Sequence, residues 1–450
     1  MGKYHFIAIG GIGMSGLAKY LLEDNHEVTG SDISASKYID KLVKLGAKVN
    51  IGHDGKNLSE NVDAVIVSTA IKDNNPELIK AKELGLRVLH RSDLLKEIAI
   101  SAQKEGKYFI GFSGTHGKTT TSGMASFVLD KAYSEPAFVV GGIIPDISTN
   151  AQHKKGNIFV AELDESDGTL TKYEPDILVI NNLEEDHLDF YKNGMPDLVK
   201  TFNIAISQAK KVIVNADDNG IKYLTGDFIT FGLNNADYTA RNIKTNSSGT
   251  IFDVYYKGSQ LVTISLQLTG KHNIYNTLSV VAALNEVGIA LDDIKNYFTE
   301  FTGMGRRFQK QCEINGIEIF DDYAHHPTEI KAVLDAAATK YGKENIVAVF
   351  QPHRYTRLNS LWKEFKEAFP NANRVIVTDV YEASETPIQG ITGEAFAKEA
   401  GFEYIKGNLD LVAEKLLPTL NKGEIVIGLG AGTITNLAKS LKEKAFANRI

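Results

Sequence analysis

The chain has a single cysteine, Cys312, among 450 residues. An internal disulfide is therefore impossible, and such sparing use of cysteine fits a reducing compartment. Positive charge is not in excess: 49 Lys and Arg face 56 Asp and Glu, a net charge of −7. Nucleic-acid binders normally carry a basic balance or stripe, so no nucleic-acid partner is expected. No apolar run approaches the roughly 18 residues of a membrane-spanning helix, so no membrane partner is expected either. The opening MGKYHFIAIGG enters a strand pattern at once and has no secretion signal's apolar core or cleavage site. A cytoplasmic location is the expectation. No repeat of roughly 20–50 residues recurs, which excludes a solenoid.

What is present describes a folded globular protein. Apolar residues make up 43% and charged residues 23%, well outside the disordered range. At about 150 residues per domain, the length suggests three. The first block, 1–106, alternates short apolar strands (4–10, 27–30, 62–70, 87–90) with helical stretches, the texture of a parallel sheet covered on both faces. The polar stretch Ser101–Lys107 reads as a linker. The second block, 107–305, repeats that texture and then changes: TISLQL and FDVYY, broken by NSSG and YKGSQ, predict an antiparallel meander between Asp227 and Leu268. The third block, 306–450, reads as another parallel α/β unit. Trp362 reads as packing and Cys312 as a half-buried small apolar residue. His5, His26 and His153 have no motif around them.

The sharpest local signal is Gly114-Thr115-His116-Gly117-Lys118-Thr119-Thr120 between a strand and a helix. Phosphate binding needs consecutive backbone N–H groups facing inward, unobstructed by side chains. A lysine then supplies a cation to the β- and γ-phosphates, and the hydroxyl after it reaches Mg²⁺. Lys118 and Thr119 fit those roles, although the first glycine of the usual pattern falls on Phe112. An ordinary glycine turn is the bland alternative. Two acidic strand ends follow, ELDESD (162–167) and EEDHLD (184–189). Ligands of an open parallel sheet sit beyond the carboxyl ends of its strands, so Glu162 and His187 are candidate metal-side residues.

Near the start, GIGMSG follows a strand, and Asp32 ends the next. This fingerprint fits a dinucleotide or a nucleotide-diphosphate sugar equally well, because both place a pyrophosphate on the helix N-terminus. Gly11, Ile12, Gly13 and Met14, with Asp32 and Ser68, are the candidates there. In the third block, DDYAHHPTE and QPHRYTR cluster Tyr323, His325, His326, His353, Arg354 and Arg357 after strands, a set suited to anionic substrates. GMGRRF places Arg306 and Arg307 just before them.

Together with GKHNIYNTLSVVAAL and YEASETPIQG, these stretches resemble the Mur ligase family over nearly the whole chain. The resemblance implies three domains: a Rossmann-like parallel sheet (1–106) for a UDP sugar, a P-loop ATPase-type α/β domain with an antiparallel meander (107–305) for ATP, and a Rossmann-like α/β domain (306–450) for the amino acid. It implies ATP and Mg²⁺, with Lys118 stabilising the transferring phosphoryl group and Thr119, Glu162 and His187 holding metal. It places His272, Asn273, Asn276 and Arg307 with the bound ATP. HHPTE, QPHRYTR and the stretch 381–388 point to the branch that joins L-alanine to UDP-N-acetylmuramate, acting as a monomer or homodimer. A branch that attaches a whole tripeptide to the same sugar is the alternative inside the family. From the residues alone, a nicotinamide-dependent oxidoreductase would use GIGMSG but leave the lysine loop unexplained.

Overall fold

The computed structural model describes residues 1–132, 134–186, 190–383 and 385–447. Its first sheet is parallel throughout. The strands are β1 (Lys3–Ile7), β2 (Glu27–Asp32), β3 (Lys48–Ile51), β4 (Ala64–Val67) and β5 (Val88–His90), in the order β3-β2-β1-β4-β5. Helices α1 (Ile12–Glu23), α2 (Lys37–Lys44), α3 (Pro76–Glu83) and α4 (Arg91–Lys104) alternate with them. Phe6, Ile7, Val65 and Ile66 are all fully buried, because helices cover both faces of a parallel sheet. The strand order reverses at β1 and β4, so a crevice opens beyond their carboxyl ends. The stretch Ser101–Lys107 is not an extended linker. It is the last turn of α4 and the entry to the next strand, with Lys107 buried and its Nζ donating to the carbonyls of Lys154 and Gly156, each at 2.9 Å. A long side chain can bury its stem where carbonyls receive its ammonium.

His5 has no sequence motif, yet it belongs to a buried polar network. Its Nε2 lies 2.9 Å from Glu77 Oε2, and both side chains are wholly buried. Ser31 Oγ donates to the same oxygen at 2.7 Å. Asp54 N and Asn57 Nδ2 donate to Oε1 at 3.1 and 2.8 Å. Burial opposes ionisation of Glu77, but the bonds from His5, Ser31 and Asn57 hold its carboxyl down, to about 2. One carboxylate thus ties β1, β2, α3 and the loop after β3 together.

The second sheet comprises β6 (Tyr108–Ser113), β7 (Ala137–Ile144), β8 (Thr149–Gln152), β9 (Ile158–Glu162), β10 (Ile177–Ile180), β11 (Lys211–Asn215), β12 (Ile229–Gly232), β13 (Tyr238–Asn246), β14 (Gly249–Tyr256) and β15 (Ser259–Leu266). Their order is β15-β14-β13-β12-β11-β10-β6-β9-β7-β8. Strands β9, β6, β10, β11 and β12 run parallel, and β13 to β15 form the expected meander. The antiparallel β7–β8 hairpin was not anticipated. Helices α5 (Lys118–Lys131), α6 (Met195–Gln208), α7 (Lys271–Glu286) and α8 (Leu291–Phe298) complete this region.

The first two sheets share one apolar core. Tyr20 of α1 meets Phe159 of β9 edge to face at 6.0 Å. The β7–β8 hairpin lies along α1: Asn150 Nδ2 donates to Ile12 O at 2.8 Å, and Lys19 Nζ donates to Ala151 O at 2.7 Å. The first sheet and the parallel part of the second accordingly fall within one compact unit, formed by Met1–Arg241, Asp253–Ile264 and Tyr275–Phe301, while parts of β13, β14 and β15 group outside it.

The second compact unit comprises Asn242–Phe252, Ser265–Ile274 and Thr302–Ile450. Its sheet holds β16 (Gln309–Ile314), β17 (Ile317–Asp322), β18 (Ile346–Phe350), β19 (Arg374–Val377), β20 (Glu403–Tyr404) and β21 (Ile425–Leu429), ordered β16-β17-β21-β18-β19-β20. Helix α9 (Pro327–Tyr341) follows β17. The sheet is parallel except at its edge, where β16 runs antiparallel to β17. Asn315 and Gly316, both at positive φ, turn the chain straight back, and a strand returning through so short a turn must be antiparallel. Cys312 is half-buried on β16, and Trp362 packs edge to face on Phe396 at 5.3 Å, as read from the sequence.

Candidate functional site

Between β6 and α5 the chain makes a four-residue turn whose shape depends on two glycines. Gly114 has φ +124° and Gly117 has φ +84°, conformations costly for any residue with a Cβ. A Cβ on Gly114 would stand 3.0 Å from Asn181 N and Asn182 O, and one on Gly117 would stand 2.8 Å from Asn276 Oδ1. The chain after β10 braces the turn. Asn182 brackets His116, accepting from its N–H at 2.7 Å and donating Nδ2–H to its carbonyl at 3.0 Å. Thr115 Oγ1 donates to Glu184 O at 3.1 Å and accepts from Glu184 N at 2.9 Å. No side chain caps α5, so its first N–H groups face outward for an anion.

Lys118 opens α5 and folds back over the turn. Its Nζ donates to the carbonyls of Gly114 at 2.8 Å and Thr115 at 3.2 Å, and pairs with Glu165 at 2.9 Å. Glu165 is wholly buried. Against the cost of burial, Glu165 and Asp164 hold the Lys118 ammonium well above the usual lysine range. Burial pushes the Glu165 carboxyl up, to about 7, while Lys118 pulls the other way. Asp164 is the opposite case: burial opposes ionisation, yet Lys118, Arg91 and the Ser166 N–H hold its carboxyl down, to about 2. Glu162 ends β9, and its Oε2 accepts from Gly141 N on β7 at 2.8 Å. Thr119 is half-buried and Thr120 buried on the first turn of α5. His187 lies outside the described residues.

At the carboxyl edge of the first sheet, Gly11 caps α1 and Ile12, Gly13 and Met14 form its first turn. Nothing lies within 4 Å of a Cβ on Gly13. Asp32 Oδ2 accepts from Gly10 N at 2.9 Å, so the end of β2 fixes the loop after β1. Ser68 directly follows β4, across the reversal of strand order. These six residues share one ligand-facing edge.

In the second unit, the ends of β17, β18 and β21 carry a basic and aromatic cluster. His325 Nδ1 lies 3.0 Å from Tyr323 O, and the His325 and His353 ring centroids are 5.9 Å apart. His353 stacks on Tyr381 at 5.5 Å, and Arg357 Nη1 lies 3.4 Å from His353 Nδ1. Burial, then His325, Arg357 and Arg354, hold the His353 imidazole down, to about 3, so it is neutral at pH 7. Arg354 has φ +70° and begins the turn into a short helix. Arg306 and Arg307 lie over Tyr323, with guanidinium carbons 4.8 and 5.6 Å from its ring centroid. His326 is buried as the N-cap of α9 in a capping box with Glu329, so part of its role is structural. His272 is held down, to about 4, by burial and then Arg307. Asn273 Nδ2 donates to Thr269 O at 2.8 Å.

Three family models match this chain in sequence order: the Mur ligase family catalytic domain over residues 3–103, the Mur ligase middle domain over 112–284, and the Mur ligase glutamate ligase domain over 306–432. The chain belongs to the Mur ligase family. Among its relatives, the UDP-N-acetylmuramate–L-alanine ligase of Geotalea daltonii is 41% identical, over 98% of each chain. The crystal structure of the UDP-N-acetylmuramate–alanine ligase of Thermotoga maritima superimposes with a TM-score of 0.84 at 29% identity, covering 100% of both chains. A murein peptide ligase from Psychrobacter arcticus shares the fold, with a TM-score of 0.74 at 21% identity over 99% of each chain.

Within this Mur ligase the structure gathers the predicted residues into groups. Gly114 to Thr120 form one turn with Asn276 beside Gly117, and Gly11 to Met14 lie with Asp32 on the first sheet. Tyr323, His325, His353 and Arg357 form one cluster, and His272 lies near Arg307. Sequence reasoning missed Glu165 as the partner of Lys118, Arg91 as the partner of Asp164, Gly141 as the donor to Glu162, and Tyr381 as the platform under His353. Glu165 and Tyr381 lay inside quoted motifs but were not singled out. The phosphate-loop residues fit ATP: the glycine positions leave no room for a side chain, and uncapped N–H groups and an ammonium face the turn. The Thr119 hydroxyl and the Glu162 carboxylate are the oxygen donors a hard cation such as Mg²⁺ takes.

Proposed function

We propose that this chain joins L-alanine to the lactyl carboxylate of UDP-N-acetylmuramate, driven by ATP. The observation that carries the reading is the reach of the likeness: 41% identity to an alanine-adding ligase runs over 98% of both chains and so includes the third-block cluster on the amino-acid side. A free carboxylate is a poor electrophile, since direct attack by an amine would have to expel oxide. Its oxygen instead attacks the γ-phosphorus of ATP, ADP leaves, and an acyl phosphate results. The alanine amine then adds to the carbonyl carbon, and inorganic phosphate departs as the amide forms.

In this reading Lys118 leaves Glu165 for the β- and γ-phosphates, and the N–H groups of the turn receive phosphate oxygens. Thr119, Glu162 and His187 would hold Mg²⁺, which supplies charge neutralisation at the phosphates. Asn276, His272, Asn273 and Arg307 serve the rest of the nucleotide. Gly11 to Met14, Asp32 and Ser68 receive the uridine nucleotide sugar. Tyr323, His325, His326, His353, Arg354 and Arg357 serve the incoming amino acid. The corresponding segments are 1–106 for the sugar, 107–305 for ATP and 306–450 for alanine, acting in the cytoplasm. The family-model boundaries and the lack of any membrane-spanning helix among the described residues support this division and location.

The test is phosphate release with ATP, UDP-N-acetylmuramate and each of L-alanine, L-serine, glycine and the L-Ala-γ-D-Glu-diaminopimelate tripeptide. Release dependent on the sugar and fastest with L-alanine is expected. Release with the tripeptide but not with L-alanine would overturn the assignment in favour of the recycling branch.

A further inference from the structure

Arg91 is the first residue of α4, directly after β5. A helix N-terminus carries partial positive charge, so a cation there is disfavoured unless an anion offsets it. The offset comes from the second sheet: Arg91 Nη2 lies 3.1 Å from Asp164 Oδ2, and Asp167 adds to the field that keeps the guanidinium charged. The two segments are stapled beside this pair. Lys172 Nζ donates to Ser92 Oγ at 2.9 Å and pairs with Asp93, and Tyr173 OH donates to Ser92 O at 3.3 Å. Asp164 acts on two cations, Arg91 and Lys118, and stands next in sequence to Glu165, the carboxylate paired with Lys118. Lys118 and Arg91 thus face Glu165, Asp164 and Asp167 beneath the phosphate turn. They come from two different sheets.

We propose that Arg91 is a positioning residue for phosphoryl transfer: by engaging Asp164 it keeps that carboxylate from Lys118, so that Lys118 can exchange Glu165 for the phosphates of ATP. The inference rests on the phosphate-loop reading of Lys118. Without Arg91, Asp164 turns its whole charge on Lys118, and the site carries one more uncompensated negative charge against a polyanionic ligand. Arg91 also follows the ligand-facing end of β5, so it joins the nucleotide-sugar edge to the counter-ions of the ATP turn.

The experiment compares steady-state kinetics and thermal midpoints of R91M, R91K, D164N and R91M/D164N in the full chain. R91M should raise KM for ATP about tenfold, the order of effect of one newly uncompensated charge beside the site. KM for UDP-N-acetylmuramate should change less. R91K, which keeps the charge, should recover most of the loss. R91M/D164N should bring KM for ATP back to within about threefold of wild type, since the charge Arg91 restrains is gone. If R91M does not fold, the charge-removing pair R91Q and R91Q/D164N takes its place in the same comparison. An unchanged KM for ATP with only a lowered thermal midpoint, or a double variant no better than the single, overturns the proposal. K118A is the control: turnover surviving in K118A removes the underlying phosphate-loop reading, whereas turnover lost in K118A with R91M silent removes only the role of Arg91.

Discussion

Replacing Gly141 by alanine should disable the site while leaving the fold intact. Gly141 lies on β7 with ordinary extended backbone, so alanine is conformationally allowed there. The added Cβ would stand 2.3 Å from Glu162 Oε2, 2.6 Å from Oε1 and 2.7 Å from Cδ. Carbon and oxygen do not approach so closely, so the carboxylate has to swing away by roughly 1 Å, and a displacement of that size can cost about a hundredfold in rate. It also loses the 2.8 Å bond from Gly141 N that aims it. Loss of a bond that orients a metal-side ligand costs about 10–100-fold in affinity or activity. Both routes predict turnover reduced 10–100-fold, or about 1.4–2.7 kcal/mol in the barrier. Stability should hold, because the clash is with the end of a movable side chain and because Gly→Ala at a permitted position stabilises by about 0.4–1 kcal/mol. Phosphate release would be followed at saturating and limiting Mg²⁺, beside a thermal melt, for G141A, E162A and the double variant. The double variant should be no worse than E162A alone. Turnover of G141A within about threefold of wild type at limiting Mg²⁺ would refute the reasoning and leave Glu162 as a structural end to β9.

Lys118→Ala should reduce phosphate release by about a hundredfold or more in a chain that still folds, with a lower melt because buried Glu165 loses its partner, since it removes a cation preorganised at the phosphates; turnover within a few-fold of wild type would remove the assignment. The Glu77 carboxyl, at about 2 in the folded chain against an ordinary 4.5, contributes stability that is complete above pH 4.5 and disappears as pH falls toward 2. The difference amounts to about 3 kcal/mol, so E77Q should flatten the acid limb of a melting-temperature profile between about pH 5 and 3; parallel limbs for the two proteins would contradict it. Titration calorimetry should show the Gly11–Met14 edge binding UDP-N-acetylmuramate and not NAD or NADP, whereas micromolar NAD binding with none for the sugar would reverse that reading.

The phosphate turn was legible because all its chemistry lies within seven consecutive residues, Gly114 to Thr120. The parallel strands were legible because burial on both faces makes them apolar throughout, as at IVAVF (Ile346–Phe350). Which acid of ELDESD meets Lys118 was not legible. That depends on how the chain turns after β9, which buries Glu165 and leaves Glu162 at the strand end facing Gly141. Contacts between distant residues were hidden altogether: Glu77 and His5 are 72 positions apart, and Arg91 and Asp164 are 73. Lys107 misled because a charged residue among polar neighbours reads as solvated, while its ammonium is received by carbonyls of a segment almost fifty residues on. Motifs that are local in sequence announce themselves. Partners brought together by strand order do not.

The common core beneath the first two sheets has a consequence for anyone who would exchange parts between such ligases. Tyr20 packed on Phe159, and Asn150 reaching the carbonyl of Ile12, mean that the sugar-side sheet keeps an interior of its own on one face only, around Ile7, Val65 and Leu78, and shares the other. A graft cut near residue 106 would leave Phe159 and the β7–β8 hairpin bare on one piece and the flank of α1 bare on the other. Chimeras with new amino-acid preferences should therefore be spliced near residue 301, where the first compact unit ends, and should match the donor at 242–252 and 265–274, which group with the third block. The first sheet and the parallel strands of the second would then travel together.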